Sequence, residues 1–428
     1  MKKALVLLFA VMAAVTWAAP MEITVMTNGV SGWLPDEDFR GYPGVREKIA
    51  AEFMESHPGV KVTILYRDVK QGSMTVDALM AAGTPPDIWM DAGGYFKKYM
   101  NEDYALPMEK YVDLSKFHEY LLKPYNFGGH QYALPWSNVM GGFAVNATML
   151  ADVGYTLPEV DKWTTDEFMK LGALLKAKKI PLSMAMFKGG MNDWTFYFLR
   201  AFGAEMYDFA KNDYSKVTIN TPAALAGLEY LKKFIAAGYA YPNPVEVNDD
   251  AGVDLFTTGK VASCVMQDGH VAYWVPQQIA TGKLKSQFVT RFVTFPHAPG
   301  LPPVKIFGYQ SLLVAHKNKD EAKNKLIGEL ATLFTGREHT WNNSGVACGF
   351  SVLKDYEPSI GWAATDMHKD IAKLGQTIGL LPADASGDKG KEVTRLWGTM
   401  TEQWIRGKVT SKTLLTNFEK QANAILAK

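Results

Sequence analysis

Short β-branched segments alternate with amphipathic segments along the first hundred residues. The segments 22–27, 60–66 and 87–90 are rich in β-branched and aromatic side chains, which predicts three strands. Between them, 44–57 and 75–82 carry apolar residues at helical spacing, which predicts two helices. Strand, helix, strand, helix and strand within roughly 70 residues predict a βαβ sheet with helices on its faces.

The same alternation continues to the end of the chain. Thr164 with Glu167 three residues later predicts a capping box, and Thr221-Pro222 predicts a second helix start, with Gly238 ending that helix. Further strands are predicted at 132–136, 142–146, 261–266, 291–295 and 311–315. Further helices are predicted at 319–334, 359–379, 390–406 and 410–427.

The chain is too long for one hydrophobic core. Its 428 residues are roughly two to three times a single-core domain, so we expect two lobes. No Ser/Gly/Pro-rich linker divides the chain, and we therefore expect the lobes to be joined by crossing segments. The Gly- and Pro-containing segments best suited to cross are 135–141, 295–303 and 345–352.

Composition and charge narrow the possible classes of protein. Hydrophobic residues make up 47% and charged residues 21%, which excludes a disordered chain and a polytopic membrane protein. The 45 Lys and Arg residues against 44 Asp and Glu residues give a net charge of +1. Such a balance provides no global field for nucleic acid, so we expect no nucleic-acid partner.

The N-terminus is typical of a secretory signal. A basic start at Lys2 and Lys3 precedes an uncharged apolar run over 4–15, and small residues follow at 18–19. We expect residues 1–19 to be cleaved, since the run is too short to span a membrane. The first cysteine is Cys264, so no lipid-anchored N-terminal cysteine is expected. These features predict an exported, periplasmic protein.

Catalytic and metal-binding motifs are missing from the sequence. It has no phosphate-binding glycine loop, no Gly-x-Ser-x-Gly elbow, no His-Glu-x-x-His helix and no Cys-x-x-Cys pair. Acids at predicted strand ends, namely Asp87, Asp91 and Asp268, suit either ligand binding or capping and turn chemistry. We therefore expect no enzyme, no cofactor and no metal. Cys264 and Cys348 are expected either to pair or to remain thiols.

Five segments in order resemble the extracellular solute-binding proteins of ABC importers, in their maltose-binding-like carbohydrate class. The first two are Ala81-Ala-Gly-Thr-Pro-Pro-Asp-Ile-Trp89 and Gly129-His-Gln-Tyr-Ala-Leu-Pro-Trp136 with Phe143-Ala-Val-Asn146 after it. The others are Phe256-Thr-Thr-Gly-Lys-Val-Ala262 with Met266-Gln-Asp-Gly269, then 308–334, and lastly 396–425. The resemblance runs from about residue 22 to the end.

The resemblance implies an α/β, two-lobed periplasmic-binding-protein fold of the type II kind. Each lobe would be a βαβ sheet flanked by helices, with the ligand cleft between the lobes. Lobe 1 is expected to contain 20–137 and 297–350, and lobe 2 to contain 138–296 and 351–428. The resemblance also implies a glycine loop at Asp268-Gly269, and one departure from the family pattern is that His270 and Val271, rather than an aromatic residue, follow Gly269.

Residues suited to a sugar lie at the predicted strand ends of such a cleft. Sugar faces pack on aromatic rings, and each buried hydroxyl needs a hydrogen-bond partner. Ring and polar side chains at predicted strand ends or crossings are Asn28, Trp33, Arg67, Asp68, Asp91, Trp136, Asp268 and Tyr309. Arg67 is equally suited to a structural ion pair with Asp68.

The resemblance adds further candidates. It implies that the loop after Asp87–Met90 and the segment Asp268-Gly269 contact ligand from opposite lobes, and that Trp397 and Trp194 present aromatic rings to it. For each tryptophan taken alone, core packing explains the residue as well as stacking does.

The implied function is high-affinity binding of a mono- or oligosaccharide with hinge closure. A monomer would deliver the sugar to the membrane permease subunits of an ABC importer. Two alternatives remain: a secreted carbohydrate-active enzyme, and the same fold binding a non-sugar solute. A protein that binds sugar but serves a sensory receptor is a third.

Overall fold

The computed structural model describes residues 20–28, 45–67, 74–92, 99–100, 103–139, 141–182, 194–208, 213–247, 249–304, 309–335, 349–350, 352–354, 366–374 and 387–427. The strands in these ranges are β1 (Met21–Asn28), β2 (Val60–Arg67), β3 (Ile88–Ala92), β4 (Asn126–Phe127), β5 (His130–Gln131), β6 (Ala133–Val139), β7 (Gly141–Asn146), β8 (Ser263–Gln267), β9 (Thr290–Val293), β10 (Tyr309–Ala315) and β11 (Gly349–Phe350). The helices are α1 (Val45–Ser56), α2 (Met74–Ala81), α3 (Glu119–Leu122), α4 (Ala147–Asp152), α5 (Thr165–Ala177), α6 (Trp194–Arg200), α7 (Pro222–Ala236), α8 (Asp249–Thr257), α9 (Asp268–Ala280), α10 (Glu321–Thr335), α11 (Asp366–Leu374), α12 (Gly387–Ile405) and α13 (Ser411–Leu426).

The first sheet has the order β11-β6-β10-β3-β1-β2 among the described strands. β1 pairs in parallel with both β2 and β3, while β10 runs antiparallel between β3 and β6. The α1 and α2 helices connect the parallel strands, which confirms the βαβ pattern predicted for the first hundred residues.

Two apolar layers cover the first sheet. Successive residues of β1 face alternate layers. Ile23 and Val25 pack in one layer with Phe53 of α1 and Leu330 of α10. Met26 packs in the other, which is built around Trp89. Because successive strand residues face opposite sides, a sheet buried on both faces needs apolar residues at nearly every position.

The second sheet has the order β8-β7-β9 among the described strands, and both outer strands run antiparallel to β7. β8 and β9 are therefore parallel to each other and are joined by α9, so this lobe contains a βαβ unit with β7 inserted between its strands. Gly142 of β7 lies so close to Phe292 of β9 that a Cβ there would come within 2.6 Å of the ring.

An ion pair between the half-exposed Arg291 and the buried Asp370 holds α11 against the β9 edge of the second sheet. Asp370 is 2% exposed and accepts hydrogen bonds from Arg291 Nε at 2.6 Å and Nη2 at 2.7 Å. It also accepts the backbone N–H of Phe292 at 3.1 Å. The Asp370 carboxylate holds the Arg291 pKa above its ordinary value. Asp370 thus accepts a backbone N–H that would otherwise have no partner at the edge of the sheet.

Strand pairing differs from the predicted lobe bounds at three places. Asn138 and Val139, which we expected in lobe 2, pair with β10 in the first sheet, so the first crossing falls between Val139 and Gly141. Val304, which we expected in lobe 1, pairs with Phe295 and packs in the core of the second lobe, so the second crossing falls after it. Leu353 pairs with Phe117 of the first lobe, so the third crossing falls beyond 354 rather than within 345–352.

Helix ends follow the predicted local chemistry. The Thr164 hydroxyl and the Glu167 carboxylate form the predicted capping box at the start of α5. Thr221 caps α7 with Pro222 as its first residue, and Gly238 adopts a left-handed φ of 72° just after that helix ends. Among the described residues, no helix is both long and apolar enough to cross a membrane.

Candidate ligand site

The predicted polar residues of the first lobe lie at one level across its sheet. Asn28 pairs directly with Arg67, as the last residues of β1 and β2. Met26 pairs with Trp89, and continuing that parallel register by two residues brings Asn28 level with Asp91. Three residues named from strand ends are therefore brought together at the carboxyl end of the parallel strands, where ligands bind in open α/β sheets.

Trp136 lies at an irregularity in the same part of the sheet. Asp91 pairs with Leu312 of β10, and Leu312 pairs with Pro135 of β6. The next pair is Ser311 with Ser137, so Trp136 is the extra residue of a β-bulge. Bulges re-aim a side chain and are frequent beside functional sites. Trp136 is thus level with Asp91 across the sheet.

The second lobe adds residues just beyond the first crossing. Val139 at the end of β6 pairs with both Tyr309 and Gly349. Two residues later, Gly141 pairs with Gln267, the last residue of β8. Asp268 follows directly, so the Tyr309 and Asp268 positions lie on either side of the crossing between β6 and β7.

Asp268 and Gly269 form the first turn of α9, which corrects the glycine loop expected from the resemblance. Asp-Gly is a strong turn signal, but an aspartate is also favourable at a helix N-terminus. The helix begins immediately after β8, and backbone N–H groups of its first turn have no partner within the helix.

Among the charged residues at this level of the first sheet, Arg67 is the one whose side-chain burial the structure describes. It is 4% exposed at the end of β2, and a guanidinium at that depth requires partners to offset its lost hydration. Asp68, the partner considered from the sequence, lies outside the described residues, as does Trp33.

Asp87 belongs to the opposite end of β3 and has a structural role. Its carboxylate accepts hydrogen bonds from the Thr24 backbone N–H at 2.9 Å and from Asn318 Nδ2 at 3.3 Å. Lys323 Nζ lies 2.7 Å from it. These contacts fix α10 against the first sheet, so Asp87 has a structural role, but through strand hydrogen bonds and an ion pair rather than the capping or turn chemistry considered from the sequence.

Trp397 is buried in the core of the second lobe, which corrects its expected stacking role. The residue is 1% exposed, and its ring packs edge-on against Phe418 at a centroid distance of 4.8 Å. Its indole N–H donates to the Thr195 hydroxyl at 3.0 Å. A ring enclosed in this way has no face left for a sugar, because both its apolar surface and its donor are already used.

Trp194 is the first residue of α6, directly before the fully buried Thr195. Its place at the start of a helix agrees with the sequence, and its contact with a ligand stays a prediction. Cys264 lies buried in β8, where its Sγ is 3.7 Å from the Gly252 carbonyl oxygen. Cys348 is outside the described residues, so a disulfide and two free thiols both remain predictions for this pair.

Sequence inspection missed three polar positions. Ser137 and Ser311 form a cross-strand pair beside the Trp136 bulge, and Gln267 ends β8 next to the crossing. Their sequence neighbours could have indicated two of them, because Ser137 directly follows Trp136 and Gln267 directly precedes Asp268. No group of three or more His, Cys, Asp or Glu side chains able to hold a metal occurs among the residues that the structure describes.

The chain forms two lobes that are joined by crossing segments, and polar and aromatic positions lie beside the crossing. This arrangement is typical of proteins that enclose a small solute between two lobes. Residues 37–338 match the family model for bacterial extracellular solute-binding proteins, and the chain belongs to this family.

A curated relative is a lactose-binding protein of Rhizobium radiobacter. It is 25% identical to this chain over 284 residues, which is 65% of this chain and 63% of the relative. The alignment therefore spans less than two thirds of that relative's length.

Solved structures share the whole fold. A cyclic α-maltosyl-1,6-maltose binding protein from Arthrobacter globiformis matches with a TM-score of 0.73 at 17% identity, over 95% of this chain and 99% of that one. A chitin oligosaccharide binding protein matches with a TM-score of 0.73 at 21% identity, over 96% and 100%. These likenesses confirm the two-lobed fold predicted from the sequence.

Proposed function

We propose that the protein binds a mono- or oligosaccharide between its two lobes and delivers it to the permease subunits of an ABC importer. Membership of the solute-binding family supports a binding role rather than an enzymatic one. The lactose-binding relative and the oligosaccharide-binding structural neighbours support a sugar as the solute. In this proposal residues 1–19 are an export signal, and the mature chain acts as a periplasmic monomer.

The observation that carries the proposal is the alignment of site positions on both sides of the crossing. Asn28, Arg67, Asp91 and Trp136 share one level of the first sheet. Asp268 follows the β8 end that pairs with Gly141, just past the crossing. Carboxylates make strong hydrogen bonds to hydroxyl groups, and an aromatic ring packs on the apolar face of a sugar.

Closure follows from this division of contacts. A sugar that meets only the first lobe would leave the ratio of open to closed forms unchanged. Contacts from the second lobe add affinity only in the closed form, so the sugar shifts the equilibrium towards it. The closed form is then the shape that permease subunits would recognise.

The test is a thermal-unfolding and calorimetric screen of the mature chain with mono- and oligosaccharides, polyols and amino acids. A sugar at 100 times its Kd should stabilise the folded form by about 2.7 kcal/mol. Small-angle scattering with the same sugar should show a more compact molecule. Consumption of the added sugar would indicate an enzyme, and a response only to another class of solute would overturn the sugar assignment.

Isosteric variants then locate the site. Asp91→Asn and Asp268→Asn should each weaken the sugar Kd about tenfold or more, since each replaces a charged acceptor. Asp113→Asn is the matched control, because that carboxylate is exposed and bonds to Ser115 in the first lobe. Equal affinity in all three variants would contradict the site assignment.

A further inference from the structure

Two segments of the second lobe carry lysines without any acidic residue. Residues 168–182 contain four lysines and residues 230–245 contain two, although acids and bases are balanced over the whole chain. All six ammonium-bearing side chains are exposed, and none takes part in an ion pair within the described part of the chain. They are Lys170, Lys176, Lys178, Lys179, Lys232 and Lys233.

The fold places these two segments side by side. Phe168 of α5 stacks on Phe234 of α7 with ring centroids 5.3 Å apart. Lys176 Nζ donates to the Ala237 carbonyl at 2.7 Å, and the Leu182 backbone N–H donates to Tyr239 O at 2.9 Å. The C-terminal ends of α5 and α7 therefore lie together. We call the six lysines on and just after these two helices the positive region, in which Lys170 lies about two turns before the end of α5.

Helix capping accounts for only part of this charge. Lysines favour helix C-termini, where the macrodipole amounts to about half a negative charge, and Lys176 caps α7 in this way. Lys179, however, adopts a left-handed φ of 58° just after α5, a conformation that favours glycine. Glycine would end the helix at this position with less backbone strain than lysine does. The need to end α5 therefore does not explain why residue 179 is a lysine.

An exposed leucine lies within the positive region. Leu174 is 41% exposed; Lys170 lies one turn before it on α5, and Lys178, the residue that caps the end of α5, follows it by four residues. Ala173 and Ala177, also exposed, extend the apolar strip. An apolar side chain ringed by ammonium groups is the pattern of helices that lie on anionic membrane surfaces.

We propose that this lysine face, formed by Lys170, Leu174, Lys178, Lys179, Lys232 and Lys233, docks on an anionic bilayer surface. The ammonium groups would bind phosphate headgroups while Leu174 enters the interface. Docking would hold the exported chain beside the membrane that contains its permease, and it requires no sugar. The proposal is therefore separate from the sugar site.

Vesicle co-sedimentation of the mature chain tests the proposal. Binding is expected to vesicles of phosphatidylcholine with about one third phosphatidylglycerol, to weaken with salt, and to be absent with phosphatidylcholine alone. Each lysine near such a surface contributes roughly a fivefold gain in partitioning. The Lys178→Glu/Lys179→Glu/Lys233→Glu variant should therefore lose binding by more than about 100-fold, and Leu174→Ser by a few-fold.

The matched control is Lys285→Glu/Lys412→Glu/Lys420→Glu, which makes the same charge change at exposed positions of the same lobe. It should retain most of the vesicle binding. An equal loss in the control, or no binding by the wild-type chain, would overturn the proposal; the latter would leave an acidic protein surface as the partner. Sugar-induced stabilisation, measured on every variant, should be unchanged, and its absence in the wild type would overturn the proposed function alone.

Discussion

At the scale of single residues, the indole of Trp397 stabilises the second lobe through a buried hydrogen bond. Trp397→Phe keeps an aromatic ring against Phe418 but leaves the Thr195 hydroxyl without its donor. We expect the free energy of unfolding to fall by about 1–3 kcal/mol, and the sugar Kd to change less than about twofold. Urea titration and calorimetry measure the two quantities.

A double variant controls for packing. Thr195→Val together with Trp397→Phe removes both polar partners, so it should be less destabilising than the sum of the two single changes. If Trp397→Phe instead weakened sugar binding tenfold at unchanged stability, Trp397 would have to be assigned to the ligand site.

The role of Trp397 could not be decided from the sequence. A tryptophan on an amphipathic helix satisfies both a core position and a stacking position, since each needs a large apolar ring. The deciding contact, Thr195, lies 202 residues away in the chain. Asn28, Arg67 and Asp91 were different, because parallel strands end at a common edge and their positions follow from topology alone.

At the scale of elements, a close approach between α6 and α7 depends on Gly227. A Cβ at this position would lie 2.8 Å from both Leu199 Cα and the Phe198 carbonyl oxygen. These are backbone atoms of α6 and its end, so no side-chain rotation relieves the contact. Gly227→Ala should therefore lower the free energy of unfolding by about 1–3 kcal/mol, as measured by urea titration.

Gly398→Ala is the matched control for this prediction. Gly398 also lies within a helix, α12, but no atom lies within 4 Å of its added Cβ. Alanine there should raise the free energy of unfolding by about 0.5–1 kcal/mol, because glycine is a weak helix former. Loss of stability in both variants would mean that the destabilisation is not specific to the α6–α7 approach.

Element types were predictable where local signals agreed. The capping box at Thr164 and the alternating pattern of β1 both led to the observed structure, because propensity and burial favour the same element there. Asp268-Gly269 was misassigned because one dipeptide serves both turns and helix starts. Val304 was placed in the wrong lobe because a crossing is defined by tertiary packing, which leaves no local signature.

At the scale of the whole molecule, three partly buried histidines link folding to pH. Burial lowers the pKa of His118, His297 and His316 below the ordinary value of 6.5. Neighbouring charges modify this effect: Lys354 also lowers the His118 pKa, while Asp87 raises that of His316. Two of these histidines belong to the first lobe and His297 to the second, so both lobes are affected.

The sign of the effect follows from proton linkage. When pH falls below about 6.5, the unfolded chain protonates these imidazoles more fully than the folded chain does, because their pKa is lower in the folded chain. The unfolded state then binds more protons at these sites, so their contribution to the free energy of unfolding should decrease as the pH falls from about 7 to 5. Urea titrations across that window, with the sugar absent, should show the decrease.

Substitution identifies the histidines as the source of this pH dependence. His118→Gln with His316→Gln removes two of the three groups, so the loss of stability on acidification should become much smaller. Lys412→Gln, which removes an exposed charge from α13, should leave it unchanged. A double variant with the wild-type slope would assign the pH dependence to groups other than His118 and His316. A wild-type chain equally stable at both ends of the window would contradict the prediction. Because His118 and His316 lie in the first lobe, the double variant also separates acid loss in that lobe from the contribution of His297 in the second.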